Sequence, residues 1–251
     1  MFNIKYLSLW HWACGIVFVV SGCLNGFFII QGRNTMSLFP EIVLASNNAG
    51  KIKEFATFFT PYGMSIISQK TLDIPECDEP HSTFIENALA KARHAAKHSG
   101  KPALADDSGI CADALGGKPG IHSARFAGEQ KSDKDNNAKL SEMLQPFENK
   151  KVYYACCLVL MRHEFDPMPI IAEGVWEGVW THNPRGENGF GYDPHFYIPE
   201  YRQTAAEISG SLKNRISHRG LALIELMKKL DDLYLRAGLD IPEIPHFVEK
   251  K

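Results

Sequence analysis

The sequence lacks several features that define common classes of protein. It has no C-x-x-C pair, and its six cysteines are Cys14, Cys23, Cys77, Cys111, Cys156 and Cys157. We therefore expect no zinc or disulfide framework, but buried free thiols in a reducing cytoplasm. Internal repeats, low-complexity linkers and the G-x-x-x-x-G-K-[ST] loop are also absent, which argues against repeat architectures and Walker-type NTPases.

Neither sign of charge is in marked excess. The chain has 251 residues, 22% of them charged, and a formal net charge of −2 at pH 7. Binding to a nucleic acid polymer depends on clustered Lys and Arg that neutralise phosphates, so we expect no such partner. A small anionic ligand needs only a few local cations and stays compatible with this composition. At 45% hydrophobic residues, the chain can bury the core of one domain or of two tightly joined lobes.

Residues 1–35 differ in character from residues 36–251. Residues 13–30 are nearly all apolar. A run of about 18 apolar residues is at the lower limit for a membrane span and exceeds the apolar region of most signal peptides. Three interpretations stay open. They are a start assigned too far upstream, with Met36 as the true initiator, a membrane anchor through residues 13–30, and a signal peptide.

Strand-like and helix-like segments alternate from residue 41 onward, which predicts an α/β or mixed α+β domain. The predicted strands are residues 42–45, 65–68, 103–105, 152–161 and 170–180, and the predicted helices are 51–59, 83–98, 134–144 and 218–235. The two longest strands are expected to pair. Strand 103–105 is expected to end where Asp106 and Asp107 begin.

A polar loop, residues 46–51 with the sequence SNNAGK, separates the first predicted strand from the first predicted helix. Free backbone N–H groups and the helix dipole favour an anion at a helix N-terminus. Lys51 adds a positive charge suited to phosphate. Taken alone, the segment is also typical of an ordinary capped turn between a strand and a helix.

Two adjacent carboxylates, Asp106 and Asp107, open the sequence DDSG. At a strand end they would repel each other unless cations or hydrogen bonds compensated. Proteins commonly hold Mg²⁺ by one or two carboxylates together with substrate phosphates and water. Glu79, in the acidic stretch 76–79, could supply a further oxygen. The alternative interpretation is a simple polar turn.

The sequence SHRG at 217–220 opens the last predicted helix, and Lys213 lies shortly before it. Cationic side chains are mildly unfavourable at a helix N-terminus, and an anionic or hydrogen-bonding ligand would offset that cost. A solvated helix end is the alternative.

The sequence NGFGYDP at 188–194 places Phe190 between glycines. An exposed aromatic ring there suits stacking on a flat base, whereas a tight turn with a core aromatic is the alternative. Together the four segments supply a phosphate cradle, paired carboxylates, an aromatic platform and donors for a base edge. That combination favours a nucleotide ligand.

These segments closely resemble the inosine triphosphate pyrophosphatase family, also called the Ham1 or RdgB-like family. The resemblance lies in six blocks in family order, from about residue 42 to the final helix: SNNAGK at 46–51, TFIENA at 83–88 followed by Lys91, ADDSG at 105–109, PG and SAR within 119–125, GFGYDP at 189–194, and SHRG at 217–220. Family members usually begin just before the first strand, so residues 1–35 depart from the pattern.

The resemblance implies an α/β fold for residues 36–251, with a long central mixed β-sheet, flanking helices and two lobes around an active-site cleft. It also implies a homodimer that requires Mg²⁺ and hydrolyses ITP, dITP and XTP to the monophosphate and pyrophosphate, which cleanses the nucleotide pool. A Maf-like pyrophosphatase with other base preferences and a nucleotide sensor without turnover are the rival hypotheses.

Carried over residue by residue, the resemblance makes Asp107 the catalytic and metal-binding aspartate and Asp106 its neighbour. Either would orient or deprotonate the attacking water, and Glu79 would be a further metal ligand. His218 and Arg219 would recognise the 6-oxo edge of the base. The implied substrate-binding residues are Ser46, Asn47, Asn48, Ala49, Gly50, Lys51, Lys91, Ser108, Phe190, Gly191, Tyr192, Asp193, Lys213, His218 and Arg219.

Overall fold

Seven strands and five α-helices occur in the described part of the chain, residues 37–130 and 132–242 of a computed structural model. The strands are β1 (Glu41–Leu44), β2 (Ser65–Ser68), β3 (Ala103–Ala112), β4 (Lys151–Met161), β5 (Ile170–Trp180), β6 (Phe196–Ile198) and β7 (Gln203–Thr204). The helices are α1 (Ala49–Phe59), α2 (Phe84–Ser99), α3 (Asp133–Leu144), α4 (Gly210–Ile216) and α5 (His218–Arg236). The predictions for residues 1–35 lie outside the described residues.

The strands form one mixed sheet in the order β2-β1-β3-β4-β5-β6-β7. The pairs of β1 with β2 and with β3 are parallel, and every later pair is antiparallel. The long strands β4 and β5 pair with each other as predicted. The predicted α/β fold, with a long mixed sheet and flanking helices, is confirmed.

Helices cover both faces of this sheet because apolar side chains alternate along the central strands. Leu104 and Leu158 pack with α1 and α5 in one core cluster, whereas Ala105 and Val159 pack with α2 in another. Successive side chains in a strand point to opposite faces, so two neighbouring residues of β3 face different helices. This alternation decides the surroundings of the acidic residues that follow in β3.

Helix α2 begins and ends close to where the sequence predicts. Thr83 is its N-cap: the Thr83 hydroxyl accepts a hydrogen bond from the Glu86 backbone N–H at 3.3 Å and donates to the Glu86 carboxylate at 2.6 Å. The first of these bonds satisfies the Glu86 N–H, one of the backbone groups that the helix itself leaves free. Gly100 ends the helix in the left-handed conformation, with φ of 63°. The fixed helix aims Lys91 at the middle of β3.

Helix α5 packs closely on β5 at Gly174, and we predict that this contact does not tolerate a side chain. A Cβ atom on Gly174 would lie 2.1 Å from the carbonyl oxygen of His218 and 2.6 Å from the backbone nitrogen of Ala222. Gly174→Ala should lower the free energy of unfolding by about 1–3 kcal/mol, as measured in urea. Gly210→Ala is the matched control, since its Cβ would meet nothing within 4 Å. Equal stability of the two variants would contradict the prediction.

The described cysteines are free, and Cys111, Cys156 and Cys157 are buried as predicted. Cys77 is only half-buried, because it lies in the loop before α2. None of the helices in the described ranges is both long enough and apolar enough to cross a membrane.

Candidate active site

A polar cleft of about 480 Å³ opens where β1 ends, beside the middle of β3. The pairing of β1 with β3 reaches only to Leu104, so β1 leaves the next residues of β3 accessible from that side. Six of the residues predicted from the sequence line the cleft: Ser46, Asn47, Lys51, Glu79, Lys91 and Asp106. The structure thus brings the SNNAGK loop and the acidic residues to one place.

The SNNAGK loop forms the N-terminus of α1. Asn48 is the N-cap, and its side-chain oxygen accepts a hydrogen bond from the Lys51 backbone N–H at 3.1 Å. The Ser46 hydroxyl oxygen accepts from the Asn48 backbone N–H at 3.2 Å. The Asn47 amide donates to the Glu76 carboxylate at 2.9 Å and so connects this loop to the acidic loop, residues 76–79. A capped helix start beside a lysine is favourable for an anionic group.

The expectation that Asp106 and Asp107 follow the end of a strand is wrong. Strand β3 continues to Ala112, and the two aspartates lie in its middle, opposite Leu158 and Cys157 of β4. The strand that ends beside them is β1. Since neighbouring residues of a strand face opposite ways, Asp106 meets α1 and α5 whereas Asp107 meets α2. Each carboxylate therefore has its own cationic partners.

Asp106 is held on several sides in a buried position. Its Oδ2 atom accepts a hydrogen bond from Arg219 Nε at 2.6 Å and lies 3.3 Å from Lys51 Nζ. The Cys156 thiol is 3.9 Å from its Oδ1 atom. Burial raises the pKa of this carboxyl, but Arg219 and Lys51 outweigh burial and hold the pKa well below its usual range. Asp106 is therefore a permanently ionised, weakly basic group.

Asp107 has the opposite character. Lys91 Nζ donates to Asp107 Oδ1, to Glu79 Oε1 and to the Asp106 carbonyl oxygen, each at 2.8 Å. Burial raises the pKa of Asp107, and the attraction of Lys91 does not fully offset it. The Asp107 Oδ2 atom is buried and has no hydrogen-bond partner. A buried carboxylate oxygen without a partner is costly, and it marks a position where a ligand can bind.

The surroundings of Asp107 fit a hard cation. Asp107 Oδ2 is unpartnered, and the Glu79 carboxylate shares Lys91 with Asp107. Burial opposes ionisation of Glu79, but Lys91 and Arg125 lower its pKa below the ordinary value, so it stays charged. Carboxylate oxygens are the protein ligands that Mg²⁺ prefers. No group of three or more His, Cys, Asp or Glu side chains suited to a metal occurs among the described residues.

The GFGYDP segment presents one aromatic ring to solvent and buries the other. The Phe190 side chain is 63% exposed, with Lys213 Nζ 4.8 Å from its ring centroid. Asp193 accepts hydrogen bonds from Lys213 and from the Phe190 backbone N–H. The Gly191 N–H is bonded to a carboxylate of α3. Tyr192 is buried, and its hydroxyl donates to the backbone carbonyl of Ser123.

Arg219 is buried at the start of α5 and is bonded to protein groups. Besides its bond to Asp106, it donates from Nη2 to the Ser108 hydroxyl at 3.1 Å, and its Nη1 atom lies 3.8 Å from the Glu54 carboxylate. The sequence suggested that an anionic ligand offsets the cost of a cation at this helix end. The structure corrects this interpretation, because the carboxylates of Asp106 and Glu54 already do so.

His218 is buried beside Arg219 and stacks on Tyr154, with ring centroids 4.6 Å apart and an interplanar angle of 10°. Its Nδ1 atom has no hydrogen-bond partner. Burial, with Arg219 nearby, lowers the pKa of His218 well below its ordinary value. The imidazole is therefore neutral in the folded protein at physiological pH.

This burial predicts that His218 makes the fold sensitive to acid. As pH falls below about 6.5, the unfolded chain protonates this histidine and the native state does not, so stability falls by up to about 1.4 kcal/mol per pH unit. His218→Phe should remove this contribution and keep the ring stacking. Urea unfolding of both proteins at about pH 7 and about pH 5.5 measures the difference. An identical pH dependence in the two proteins would contradict it.

Three residues near the cleft were not identified from the sequence. Glu54 lies beside Arg219 on α1, Arg125 is 3.8 Å from Glu79, and Gln69 lines the cleft. Glu54 follows Lys51 by three residues, and this helical spacing predicts that the two side chains lie on the same face of α1. Arg125 stands in a matched block but was given no role. For Gln69, the sequence carried no signal that we can identify.

Comparison with known proteins agrees with this geometry. The sequence model of the Ham1 family matches residues 42–229. A dITP/XTP pyrophosphatase of Neisseria meningitidis serogroup A is 62% identical over 197 residues, which cover 78% of this chain and 99% of the relative. Another, from Chromobacterium violaceum, is 57% identical over 78% of this chain and 100% of the relative.

Solved structures of Ham1 proteins are also similar to this chain. A HAM1 protein from Coxiella burnetii has a TM-score of 0.74 and 45% identity, covering 76% of this chain and 98% of its own. The Ham1 protein of Staphylococcus aureus has a TM-score of 0.69 and 38% identity, covering 79% of this chain and 99% of its own. The chain therefore belongs to the Ham1 family.

Proposed function

We propose that this protein hydrolyses non-canonical purine nucleoside triphosphates, such as ITP, dITP and XTP, to the nucleoside monophosphate and pyrophosphate. The observation that carries the proposal is that two neighbouring carboxylates have different surroundings. Asp106 is locked by Arg219 and Lys51, whereas Asp107 keeps an unpartnered oxygen beside Lys91 and Glu79. The names of the relatives support this assignment.

The triphosphate would bind at the N-terminus of α1. Ser46, Asn48 and Lys51 stand at the capped helix start, and Lys91 faces them from the other side of the cleft. Asn47, Ala49 and Gly50 belong to the same loop and would contribute backbone groups. Phosphates bound there would lie near Lys91, the ion-pair partner of Asp107.

We propose a dependence on Mg²⁺, with Asp107 and Glu79 as the protein ligands. Bound there, the ion would neutralise negative charge on the phosphate oxygens as the bond breaks. The unpartnered Asp107 Oδ2 and the ionised Glu79 carboxylate support the proposal. Lys91 would complete the positive surroundings of the phosphates.

Asp107 rather than Asp106 would orient and deprotonate the attacking water. A general base must accept a proton, and burial raises the pKa of Asp107 while Lys91 is its one cationic hydrogen-bond donor among the described residues; a bound cation would counteract this shift. Asp106 is paired with Arg219 and Lys51, which lower its pKa, so it is a poor proton acceptor. Its role would be to position those two cations.

The base would stack on Phe190, whose ring is exposed beside Lys213. His218 is neutral and keeps an unpartnered Nδ1 atom, so with Arg219 it would bind the 6-oxo edge of hypoxanthine or xanthine. An amino group at that position would leave a buried group of the protein unpaired, which discriminates strongly against adenine. Ser108 accepts a hydrogen bond from Arg219, and Asp193 accepts one from Lys213, so these two residues would orient the cations toward the base.

We further propose a cytoplasmic homodimer. The buried free thiols of the described chain suit a reducing compartment. A groove of about 960 Å³ shares no lining residue with the cleft, and the exposed Val175 of β5 and Leu221 of α5 line part of it. A second copy would cover these apolar side chains. Light scattering should give the mass of a dimer for the wild type and a smaller mass for Val175→Glu, and a monomeric wild type would contradict the proposal.

Pyrophosphate release from ITP, XTP, GTP, ATP and dTTP tests the function. We expect release in the presence of Mg²⁺, loss of release with EDTA, and a preference for ITP and XTP. The assay should be run on the full chain and on a protein that starts at Met36. A preference for a pyrimidine, or no preference, would overturn the substrate assignment, and full activity in EDTA would overturn the dependence on Mg²⁺.

A further inference from the structure

Two histidines on the solvent-facing side of α2 lie close enough together to share a ligand. His94 and His98 are four residues apart, so they occupy the same face of the helix, and their ring centroids are 4.1 Å apart. His98 is exposed and His94 is half-buried. Neither residue belongs to the nucleotide site described above.

A backbone carbonyl holds one ring nitrogen of each histidine. His94 Nε2 lies 2.9 Å from the carbonyl oxygen of Pro75, and His98 Nδ1 lies 2.8 Å from the carbonyl oxygen of His94. A carbonyl oxygen only accepts, so each of these nitrogens carries the proton in the neutral ring. The other nitrogens, His94 Nδ1 and His98 Nε2, keep their lone pairs. Metal-binding histidines have this arrangement, because the hydrogen bond to the far nitrogen fixes the tautomer and the ring.

We propose that His94 and His98 form a surface site for a divalent transition cation, Cu²⁺, Ni²⁺ or Zn²⁺, with water completing the coordination. Imidazole nitrogen suits these ions, whereas Mg²⁺ prefers the oxygen ligands of the cleft. Two histidines at i and i+4 on a helix are the ligand spacing of known zinc sites. His98 lies in the last turn of α2, where the helix dipole favours a cation.

The position of the site links it to the acidic loop. His94 follows Lys91 by three residues, and Pro75, its hydrogen-bond partner, immediately precedes the stretch that carries Glu79. A cation on the free nitrogen keeps the proton on the nitrogen that donates to Pro75. Binding therefore holds the loop against α2 and raises the melting temperature of the protein.

Calorimetric titration of the untagged full chain with Cu²⁺ and Ni²⁺, in excess Mg²⁺ to occupy carboxylate sites, tests the proposal. His94→Gln and His98→Gln should each weaken binding by more than about tenfold, since even the loss of an outer-shell partner costs that much. His163→Gln, at an exposed histidine on the β4–β5 turn, and Cys77→Ser should leave the affinity unchanged. The electron paramagnetic resonance spectrum of bound Cu²⁺ should show two coordinated nitrogens in the wild type and fewer in His98→Gln.

Affinity that survives in both His94→Gln and His98→Gln would overturn the assignment. So would loss of binding in Cys77→Ser, since it would place the cation in the acidic loop instead. Circular dichroism on each variant separates loss of binding from loss of the helix. Because the readouts are affinity and spectrum, failure here leaves the proposed hydrolysis untouched.

Discussion

Replacing Asp107 with asparagine is expected to lower the turnover of ITP by about 10²–10⁴-fold, the usual contribution of a general base, or by more if the metal is also lost. Asparagine keeps the shape of the side chain and can still accept from Lys91, but it cannot take a proton. It also removes one of the two negative charges that Asp107 and Glu79 place beside Lys91. Pyrophosphate release at saturating ITP and Mg²⁺ measures the effect.

The same variant should fold at least as well as the wild type. Burial raises the pKa of Asp107, which means that the folded protein disfavours its charged form. A neutral amide relieves that cost, and Lys91 keeps Glu79 as a partner. Thermal unfolding should therefore show a melting temperature equal to or above that of the wild type. Such a trade of stability for activity is common at catalytic residues.

Asp78→Asn is the matched control for Asp107→Asn. Asp78 is exposed and lines the same cleft, so the change removes one negative charge from the same surroundings. We expect its turnover to stay close to that of the wild type. An Asp107→Asn protein with near-normal turnover would remove Asp107 from the mechanism, and equal losses in the two variants would reduce its role to general electrostatics.

Local signals in the sequence were sufficient to predict most of the fold. Thr83 and Gly100 delimit α2 because capping is a property of a few neighbouring residues. The paired strands β4 and β5 followed from two long runs of strand-forming residues. Helix α4 was not predicted, since seven residues are too few for a clear apolar period.

The least predictable feature of the site was the location of the two aspartates. Two charged residues in the middle of a strand contradict the usual pattern of a buried strand, so the sequence favoured a strand end. Their charges are compatible with the sheet only because Arg219, Lys51 and Lys91 reach them from three different helices. Partners separated by up to 113 positions in the chain carry no local signal. The resemblance to a family indicated which two residues matter, but their contacts explain why their pKa values shift in opposite directions.

The arrangement also explains how two adjacent carboxylates can differ so strongly in basicity. The period of two in a strand sends Asp106 to the face with two cations and Asp107 to the face with one. Lys91 is 2.8 Å from Glu79 and therefore divides its charge between Glu79 and Asp107. Arg219 is 2.6 Å from Asp106 but 3.8 Å from Glu54, so it pairs mainly with Asp106. The alternation along a single strand thus gives two neighbouring carboxylates pKa values that are shifted in opposite directions.

Replacing Asp106 with asparagine is expected to lower the free energy of unfolding by about 3–5 kcal/mol, the cost of leaving a buried charge without its partner. Arg219 is buried and ionised, and Asp106 is its shortest contact. Without that carboxylate, Glu54 at 3.8 Å is the one carboxylate of the described residues that still forms an ion pair with the guanidinium group. Unfolding in urea, at a pH well above the ordinary pKa of aspartate, measures the change. Turnover should fall as well, because Lys51 and Arg219 lose the group that positions them.

The control for this prediction is an ion pair at the surface. Glu41 and Lys101 are 2.5 Å apart, but both side chains are at least 40% exposed. Exposed pairs contribute little, so Glu41→Gln should cost less than about 1 kcal/mol. A similar cost in Asp106→Asn and Glu41→Gln would show that burial does not strengthen the Asp106 pair.

A double replacement separates the loss of the pair from simple loss of packing. If the cost in Asp106→Asn comes from an unpaired charge, then adding Arg219→Gln removes that charge, and the double variant should be less destabilised than the sum of the two single variants. The expected coupling is at least about 1 kcal/mol, well above the few tenths found for independent sites. Additive losses would mean that each side chain stabilises the fold through separate contacts, and Asp106 would then not be the residue that holds Arg219.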